Sequence, residues 1–260
     1  MSKPQPDEFY VGYEAKSPPG IAARTRTCVI VYVVLSMLVA TACVTFIART
    51  GKGQWMDSSF KSFTGVVRES PYPMIELDQP IFDGASRTAL LVDFGKRGAQ
   101  KRVEGFENLH VVVTGTVLER NGRCMIELAP EEGAVRRDPV EGGGSPVVPL
   151  QDVQMDGRGM ISLQGEIVDP KCFLGAMKPG EGKTHKDCAV RCISGGIPPS
   201  LVCWSEDGSV TYYVLTDETG HAAHELFLDV VGEPVEVRGE VGRIGDLMVL
   251  RVSPGGVRRL

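Results

Sequence analysis

The sequence lacks the short motifs that mark the commonest cofactor and nucleophile chemistries. It has no C-x-x-C-H for covalent haem, no paired C-x-H for a Rieske-type cluster and no G-x-S-x-G elbow for a hydrolase. The stretch Gly180–Thr184 (GEGKT) matches only the end of a phosphate-binding loop, because Met177 stands where that loop needs glycine. No catalytic constellation can be assembled from the residues that remain, so the sequence predicts a protein that is not an enzyme.

An excess of basic residues is also lacking. The chain has 28 Lys and Arg against 33 Asp and Glu, a formal net charge of −5. Proteins that bind nucleic acids neutralise phosphates with a basic face, and here no run of Lys and Arg interleaved with aromatic residues compensates for the acidic balance. Nucleic acid is therefore excluded as an expected partner.

Charged residues are absent from residues 28–48, CVIVYVVLSMLVATACVTFIA. At about 1.5 Å rise per residue, a helix over this stretch is roughly 30 Å long, the thickness of the hydrocarbon core of a bilayer. The sequence therefore predicts a transmembrane helix over residues 28–48, which follows a tail at residues 1–27 and precedes a juxtamembrane linker at residues 49–69.

Two alternatives compete with an uncleaved anchor. Ala40-Thr41-Ala42 resembles a signal-peptide cleavage site, and Cys43 allows a lipoprotein interpretation. The apolar run continues past Ala42, however, and 27 residues precede it. These features favour a single-pass protein that keeps its helix in the cell membrane.

The orientation of the helix is predicted from weaker signals. Arg24 and Arg26 flank one end, and Arg49 and Lys52 flank the other, so the positive-inside count is nearly balanced. Four of the seven cysteines lie within residues 172–203, where an oxidising compartment would allow bridges. We expect the C-terminal domains to be periplasmic or otherwise extracytoplasmic.

The N-terminal tail carries an aromatic cluster and several prolines but no helical period. Phe9, Tyr10 and Tyr13 lie within five positions of one another, in a segment that cannot build its own core. The cluster is a candidate for docking on a protein partner, and contact with the membrane surface is the alternative.

An internal repeat organises the rest of the chain. Residues 88–130 can be laid over residues 212–254 without a gap, so that most apolar positions coincide, Gly115 meets Gly239 and Pro130 meets Pro254. Each copy contains an alternating strand, a turn (Asn121-Gly122 or Gly245-Asp246) and a second alternating strand. This is the period-2 pattern of half-buried strands joined by a hairpin.

The repeated unit resembles the OB-fold, a small five-stranded barrel. Each copy has a central glycine in a V-x-V-x-G-x-V strand (Gly115 and Gly239), and such a glycine allows the sharp coiling that closes a small barrel. We therefore predict a mainly β chain with tandem OB-like domains at residues 70–135 and 158–260, joined by a linker at residues 136–157. A β-sandwich is the alternative.

The second copy contains a cysteine- and histidine-bearing insertion at residues 169–204. The spacing predicts a short helix from His185 to Ile193 that Thr184 caps and Gly195-Gly196 ends. On that helix His185, Cys188 and Cys192 share one face, which we expect to point towards Cys172 and Cys203.

Three interpretations of this group remain open. The first is two disulfides, Cys172 to one helix cysteine and Cys203 to the other. The second is a metal site, for an ion such as Zn²⁺, built from Cys172, His185, Cys188 and Cys192 with His221 and His224 as further candidate ligands. The third is a set of free thiols or a redox-active pair.

The segment 169–199 resembles one in bacterial membrane-anchored proteins of the cell envelope with tandem OB-fold-like domains. That resemblance supplies no activity. The anchor, the repeated barrel and the missing catalytic set favour an accessory or structural subunit of a larger membrane complex, with electron transport as the expected setting. The alternative is an extracytoplasmic redox protein, based on a metal or on thiols, that uses Cys172, His185, Cys188 and Cys192.

Overall fold

The structure is a computed structural model that describes residues 16–49, 53–56, 59–139 and 153–260. It divides into two compact units, residues 1–50 and residues 51–260. The candidate docking residues Phe9, Tyr10 and Tyr13 lie outside the described residues, as does most of the predicted linker between the barrels.

The first unit contains helix α1 (Pro19–Arg49). It begins earlier than predicted because Pro19 suits the first turn of a helix, where its missing N–H costs no hydrogen bond. The most apolar stretch of α1 has a mean hydropathy of 2.5, and its side chains are exposed. The helix is thus long and apolar enough to span a membrane, while the side on which the second unit lies stays a prediction.

The second unit begins with a closed five-stranded barrel in which β2, β3, β4, β7 and β6 pair in that order. The pair β4–β7 is parallel and the others are antiparallel. The elements of this part of the chain are β1 (Gln54–Trp55), β2 (Lys61–Arg68), β3 (Met74–Leu77), β4 (Thr88–Asp93), β5 (Arg97–Gly98), α2 (Gln100–Val103), β6 (His110–Arg120), β7 (Arg123–Leu128), a 3-10 turn (Glu132–Ala134) and β8 (Val135–Arg137).

A second closed barrel follows, in which β9, β10, β11, β13 and β12 pair in the same order. Its only parallel pair, β11–β13, corresponds to β4–β7. The elements are β9 (Gln154–Val168), a helical turn (Cys172–Ala176), a 3-10 turn (Lys183–His185), α3 (Lys186–Ser194), β10 (Ser200–Trp204), β11 (Val210–Thr216), a 3-10 turn (Glu225–Val230), β12 (Pro234–Ile244) and β13 (Leu247–Arg259). The prediction of two OB-like barrels is confirmed, and the β-sandwich alternative is wrong.

The two barrels repeat each other down to strand register. Leu91 lies opposite Ile126 in the first parallel pair, and their equivalents Leu215 and Leu250 lie opposite each other in the second. The hairpins β6–β7 and β12–β13 also correspond, with Gly115 opposite Leu128 and Gly239 opposite Val252. The gap-free alignment of the sequence therefore identified a real structural repeat.

The boundaries of the barrels differ from the predicted ones. Strand β2 lies in the predicted juxtamembrane linker, because residues 70–135 alone supply only four of the five strands that closure needs. The second barrel likewise begins at Gln154 rather than at residue 158.

The glycines that close each barrel yield a prediction for Gly115→Ala. A Cβ at Gly115 would lie 2.3 Å from the Glu127 carbonyl oxygen, whereas one at Gly133 would meet nothing within 4 Å. We expect Gly115→Ala to lower the free energy of unfolding by about 1–3 kcal/mol, because the β6–β7 ladder must shift. Gly133→Ala, the matched control, should change it by less than about 0.5 kcal/mol. Denaturant unfolding of the full chain measures both, and equal values would contradict the explanation.

The two barrels share a buried cluster, here called the interface core. It includes Met74, Leu90 and Met125 of the first barrel with Val214 and Val249 of the second. Packing of this kind explains why residues 51–260 form one compact unit despite the linker between the copies.

A group of hydrogen bonds centred on Asp246 lies beside the interface core. The Asp246 carboxylate, in the β12–β13 turn, accepts hydrogen bonds from the Ser86 hydroxyl (2.5 Å) and from the backbone N–H groups of Arg87 (2.6 Å) and Thr88 (3.1 Å). Burial disfavours the charge, but these bonds and the Arg123 guanidinium outweigh it and lower the pKa of Asp246. These hydrogen bonds join the β12–β13 hairpin of the second barrel to the first barrel.

Candidate metal centre

The cysteine-bearing segment is an insertion in the first connection of the second barrel. Residues 69–73 join β2 to β3, whereas the equivalent strands β9 and β10 are joined by residues 169–199. The insertion therefore begins as predicted, although residues 200–204 belong to β10. Cys172 lies in a helical turn and not on a strand.

Asp169 starts the insertion and fixes the position of Cys172. Its side chain is fully buried, and Oδ1 accepts hydrogen bonds from the backbone N–H groups of Lys171 (2.9 Å) and Cys172 (3.4 Å). An aspartate that accepts from the N–H groups of the following residues is a common way to begin a helical turn. Cys172 is thereby held at the base of the insertion.

Lys171 anchors the same turn to the first barrel. Its ammonium group pairs with the Glu127 carboxylate and donates to the Asp93 carbonyl oxygen (2.9 Å) and to the Gly95 carbonyl oxygen. Both charged side chains are only 4% exposed. Because Lys171 lies between Asp169 and Cys172 in sequence, this buried pair sets the position of the cluster relative to the first barrel.

Helix α3 supplies the other two thiols of the cluster. It begins at Lys186, and no side chain caps it, so the predicted Thr184 cap is wrong. Its buried face divides into two stripes: Ala189 and Ile193 enter the core of the second barrel, while Cys188 and Cys192 contact the interface core. The predicted thiol face is therefore real but points towards the first barrel.

The helix ends where the first barrel contacts it. The N–H of Gly195 donates to the carbonyl oxygens of Arg191 and Cys192, which confirms the predicted glycine stop. A Cβ at Gly195 would lie 2.0 Å from the carbonyl oxygen of Lys96, and the N–H of Gly98 donates to the Gly195 carbonyl at 2.9 Å. Only glycine permits this approach, which brings the Lys96 side chain to α3.

The Lys96 ammonium group donates a hydrogen bond to the Cys188 sulfur at 2.9 Å. This bond raises the pKa of Lys96, and the neighbouring Cys192 and Cys172 act in the same direction. The first barrel therefore contributes a hydrogen-bond donor to the thiols of α3.

The ligand atoms fall into two overlapping groups. Cys172, His185 and Cys188 form one, and Asp169, Cys172 and Cys192 form the other; within each group all three ligand atoms lie within 4.8 Å of one another. Cys172 belongs to both. The predicted four-residue set is therefore brought together, but Cys192 groups with Asp169 rather than with His185 and Cys188.

Two buried polar atoms of the cluster residues have no hydrogen-bond partner. His185 is 5% exposed, and its Nε2 makes no hydrogen bond. Burial and the Lys96 ammonium lower the pKa of the imidazole, whereas the Asp169 carboxylate acts to raise it. The buried Oδ2 of Asp169 also has no hydrogen-bond partner. A hydrogen bond with Cys192, burial and Asp169 all raise the pKa of Cys172. A neutral imidazole and a buried carboxylate oxygen are thus available to a cation.

The structure does not support the disulfide interpretation. All seven cysteines, each of which lies in the described part of the chain, are free. Cys203 is on β10 and packs against the core of the second barrel, whereas Cys172 and Cys192 belong to the interface core, so Cys203 does not join the other three thiols. Cys172 does lie close to the helix cysteines, but without a bond to either. Burial raises the pKa of Cys203 to about 11. The cysteines therefore no longer support an oxidising compartment.

The two remaining candidate ligands lie outside the cluster. His221 is in the turn after β11, where its Nδ1 lies 2.6 Å from the Thr219 hydroxyl. The ring of His224 packs edge-on against Tyr72, with 5.2 Å between ring centroids. Among the described residues, neither histidine belongs to a group of metal-ligand atoms.

Sequence reasoning missed three residues of the site: Asp169, Lys171 and Lys96. Asp169 had a recognisable signal, since an aspartate followed by proline at the end of a strand commonly starts a turn. Lys96 had none, because it comes from the other barrel and reaches Cys188 only through the packing of the two domains.

No protein-family model matches the chain, and no curated protein shows significant similarity to it. The function therefore has to be inferred from the geometry and chemistry of the cluster.

Proposed function

We propose that this is a single-pass, membrane-anchored metal-binding protein that holds a thiophilic ion of the Zn²⁺ class with Cys172, His185 and Cys188. One observation carries the proposal: a ring nitrogen of His185 lies within 4.8 Å of both sulfurs, and the buried Nε2 of the same ring has no hydrogen-bond partner. The apolar helix α1 supports membrane attachment.

The ligand set suits such an ion in type and charge. Thiolate and imidazole ligands bind Zn²⁺ at about 2.3 Å and 2.0–2.1 Å, so ligand atoms of a tetrahedral site lie roughly 3.5–4 Å apart. The three ligand atoms of the proposed set lie within 4.8 Å of one another, and this upper limit exceeds the tetrahedral spacing by about 1 Å. Two thiolates neutralise the ion, and the imidazole is already neutral. The Lys96 ammonium can keep its hydrogen bond to the Cys188 sulfur as a donor in the second coordination shell.

Three protein ligands leave a fourth position for water or for a ligand from another molecule. In zinc proteins such an open position distinguishes sites that exchange ligands from closed structural sites. Cys188 is the partly exposed member of the set, whereas Cys172 and His185 are buried, so a partner would approach the open position from the side of Cys188. The proposed centre is therefore accessible to exchange with a partner.

The test is Co²⁺ titration of the reduced, metal-free full chain in mild detergent. Co²⁺ replaces Zn²⁺ and gives a thiolate-to-metal charge-transfer absorption when cysteines bind it. We expect this absorption in the wild type, and at least about a tenfold lower affinity in His185→Gln, because a ligand loss exceeds the usual cost of a second-shell change.

His221→Gln is the matched control, because His221 lies in a turn outside the cluster. It should bind Co²⁺ as the wild type does. Absence of the charge-transfer absorption in the wild type, or equal affinities of the His185 and His221 variants, would contradict the proposal.

A thiol-exchange protein is the second candidate, favoured by the Lys96–Cys188 hydrogen bond. The Cys188 thiolate would attack a substrate disulfide, which releases one substrate thiolate and forms a mixed disulfide. The Cys172 thiolate would then attack the Cys188 sulfur and release the second substrate thiolate, which leaves a Cys172–Cys188 bond and a reduced substrate dithiol. The unpartnered Nε2 of His185 counts against this function, because this nitrogen makes no hydrogen bond that would activate a thiol. Stoichiometric Co²⁺ with reduced thiols supports metal binding; no metal and a Cys172–Cys188 bond supports exchange.

The role of accessory or structural subunit in a membrane complex, and its link to electron transport, stay predictions. A membrane-anchored metal centre is compatible with both. Periplasmic placement of the barrels also stays a prediction, since the charges that flank α1 are nearly balanced.

A further inference from the structure

The ligand atoms of the cluster have two points of convergence rather than one. Cys172 is the only residue common to the two groups, and Cys192 falls with Asp169. A single ion bound by Cys172, His185 and Cys188 would therefore leave two strong metal ligands beside it unused.

Those two remaining ligands lie in the most buried part of the cluster. Asp169 is fully buried and Cys192 is 1% exposed. The carboxylate Oδ2 of Asp169 has no hydrogen-bond partner, and the Lys171 ammonium that follows it in sequence is already paired with Glu127. A buried carboxylate oxygen without a partner is costly unless a cation or a donor compensates it.

Building on the proposed function, we propose that the cluster is a two-ion centre in which the Cys172 thiolate bridges two divalent thiophilic ions. The outer ion is held by Cys172, His185 and Cys188, and the inner ion by Asp169, Cys172 and Cys192. Since each ion lies about 2.3 Å from the shared sulfur, the two ions are at most about 4.6 Å apart.

The charges of the ligands balance two divalent ions. Three thiolates and one carboxylate carry four negative charges, while the imidazole is neutral. Each cysteine loses its proton to solvent as its ion binds, so loading releases protons and leaves the two ions and their direct ligands with no net charge. The Lys96 ammonium beside Cys188 is a further positive charge outside the ligand set.

The test counts Co²⁺ equivalents bound by the reduced full chain in mild detergent and follows the magnetic moment per ion. We expect two equivalents in the wild type, with a moment per ion that falls when the second binds, because a bridging thiolate couples the two ions. Cys192→Ala and Asp169→Asn should each bind one uncoupled equivalent. Asp169→Asn keeps an oxygen that accepts from the N–H groups of Lys171 and Cys172, so it should preserve the turn. It therefore tests the inner position even if Cys192→Ala fails to fold.

Cys203→Ala is the control and should bind two equivalents, since Cys203 lies outside both groups. One equivalent in the wild type would overturn the two-ion centre and leave the proposed function standing, whereas none would overturn both. Two equivalents in the wild type and also in Asp169→Asn and Cys192→Ala would place the second ion elsewhere and overturn the inner position.

Discussion

Replacing Cys172 with serine is expected to abolish stoichiometric binding of Zn²⁺ and Co²⁺, which is the largest effect that any single substitution should have on the centre. Cys172 belongs to both groups of ligand atoms, so its loss removes a ligand from each ion and also removes the bridge. The serine hydroxyl does not ionise near neutral pH and is a poor ligand for a thiophilic ion. We expect any remaining affinity to be at least about a hundredfold weaker than in the wild type, as measured by competition with a chromogenic chelator.

Two other cysteine variants test the reason for this effect. Cys203→Ser changes a cysteine that packs against the core of the second barrel, and it should bind metal as the wild type does. Cys188→Ser removes a ligand of the outer ion alone and should keep the inner one. If Cys172→Ser retained as much metal as Cys188→Ser, Cys172 would not be shared and the geometry of the cluster would have been misread.

The fold could be predicted from the sequence because the strands and hairpins of each barrel are encoded by patterns within short segments. Alternating strands, the Asn121-Gly122 turn and the equivalent glycines Gly115 and Gly239 recur at fixed spacing, and the structure places them in the same register in both copies. Asn121 and Gly122 both have positive φ, as a tight hairpin requires. The first strand, β2, was missed because Gly65 interrupts its apolar alternation and prolines follow it closely.

The candidate site could be predicted only in part. The helical spacing correctly put His185, Cys188 and Cys192 near Cys172, because such contacts lie within one insertion. It could not separate a metal site from disulfides, since the same residue types serve both. In the structure the cysteines are free, and Cys203 packs apart from the three thiols of the insertion. Lys96 and the split between two ligand groups depend on the contact between barrels, which leaves no periodic signal in the sequence.

The most destabilising substitution should be Lys171→Met. Its ammonium group is the partner of the Glu127 carboxylate, and both side chains are only 4% exposed. Removal of the charge leaves Glu127 buried and unpaired, and it also deprives the carbonyl oxygens of Asp93 and Gly95 of their donor. We expect the free energy of unfolding to fall by about 3–5 kcal/mol. Guanidinium unfolding of the full chain in mild detergent can be followed by tryptophan fluorescence, since both tryptophans lie in residues 51–260.

Lys186→Met is the matched control for this substitution. Lys186 pairs with Glu233 at 2.5 Å, but its side chain is 29% exposed, so the loss should be at most about 1 kcal/mol. The double variant Lys171→Met, Glu127→Leu should recover most of the stability, because an apolar pair of similar volume replaces a buried ion pair at little cost. A double variant as unstable as Lys171→Met would show that lost packing, and not an unpaired carboxylate, causes the effect. Because Lys171 holds the turn that presents Cys172, recovery of stability without recovery of Co²⁺ binding would show that the ion pair also positions the centre.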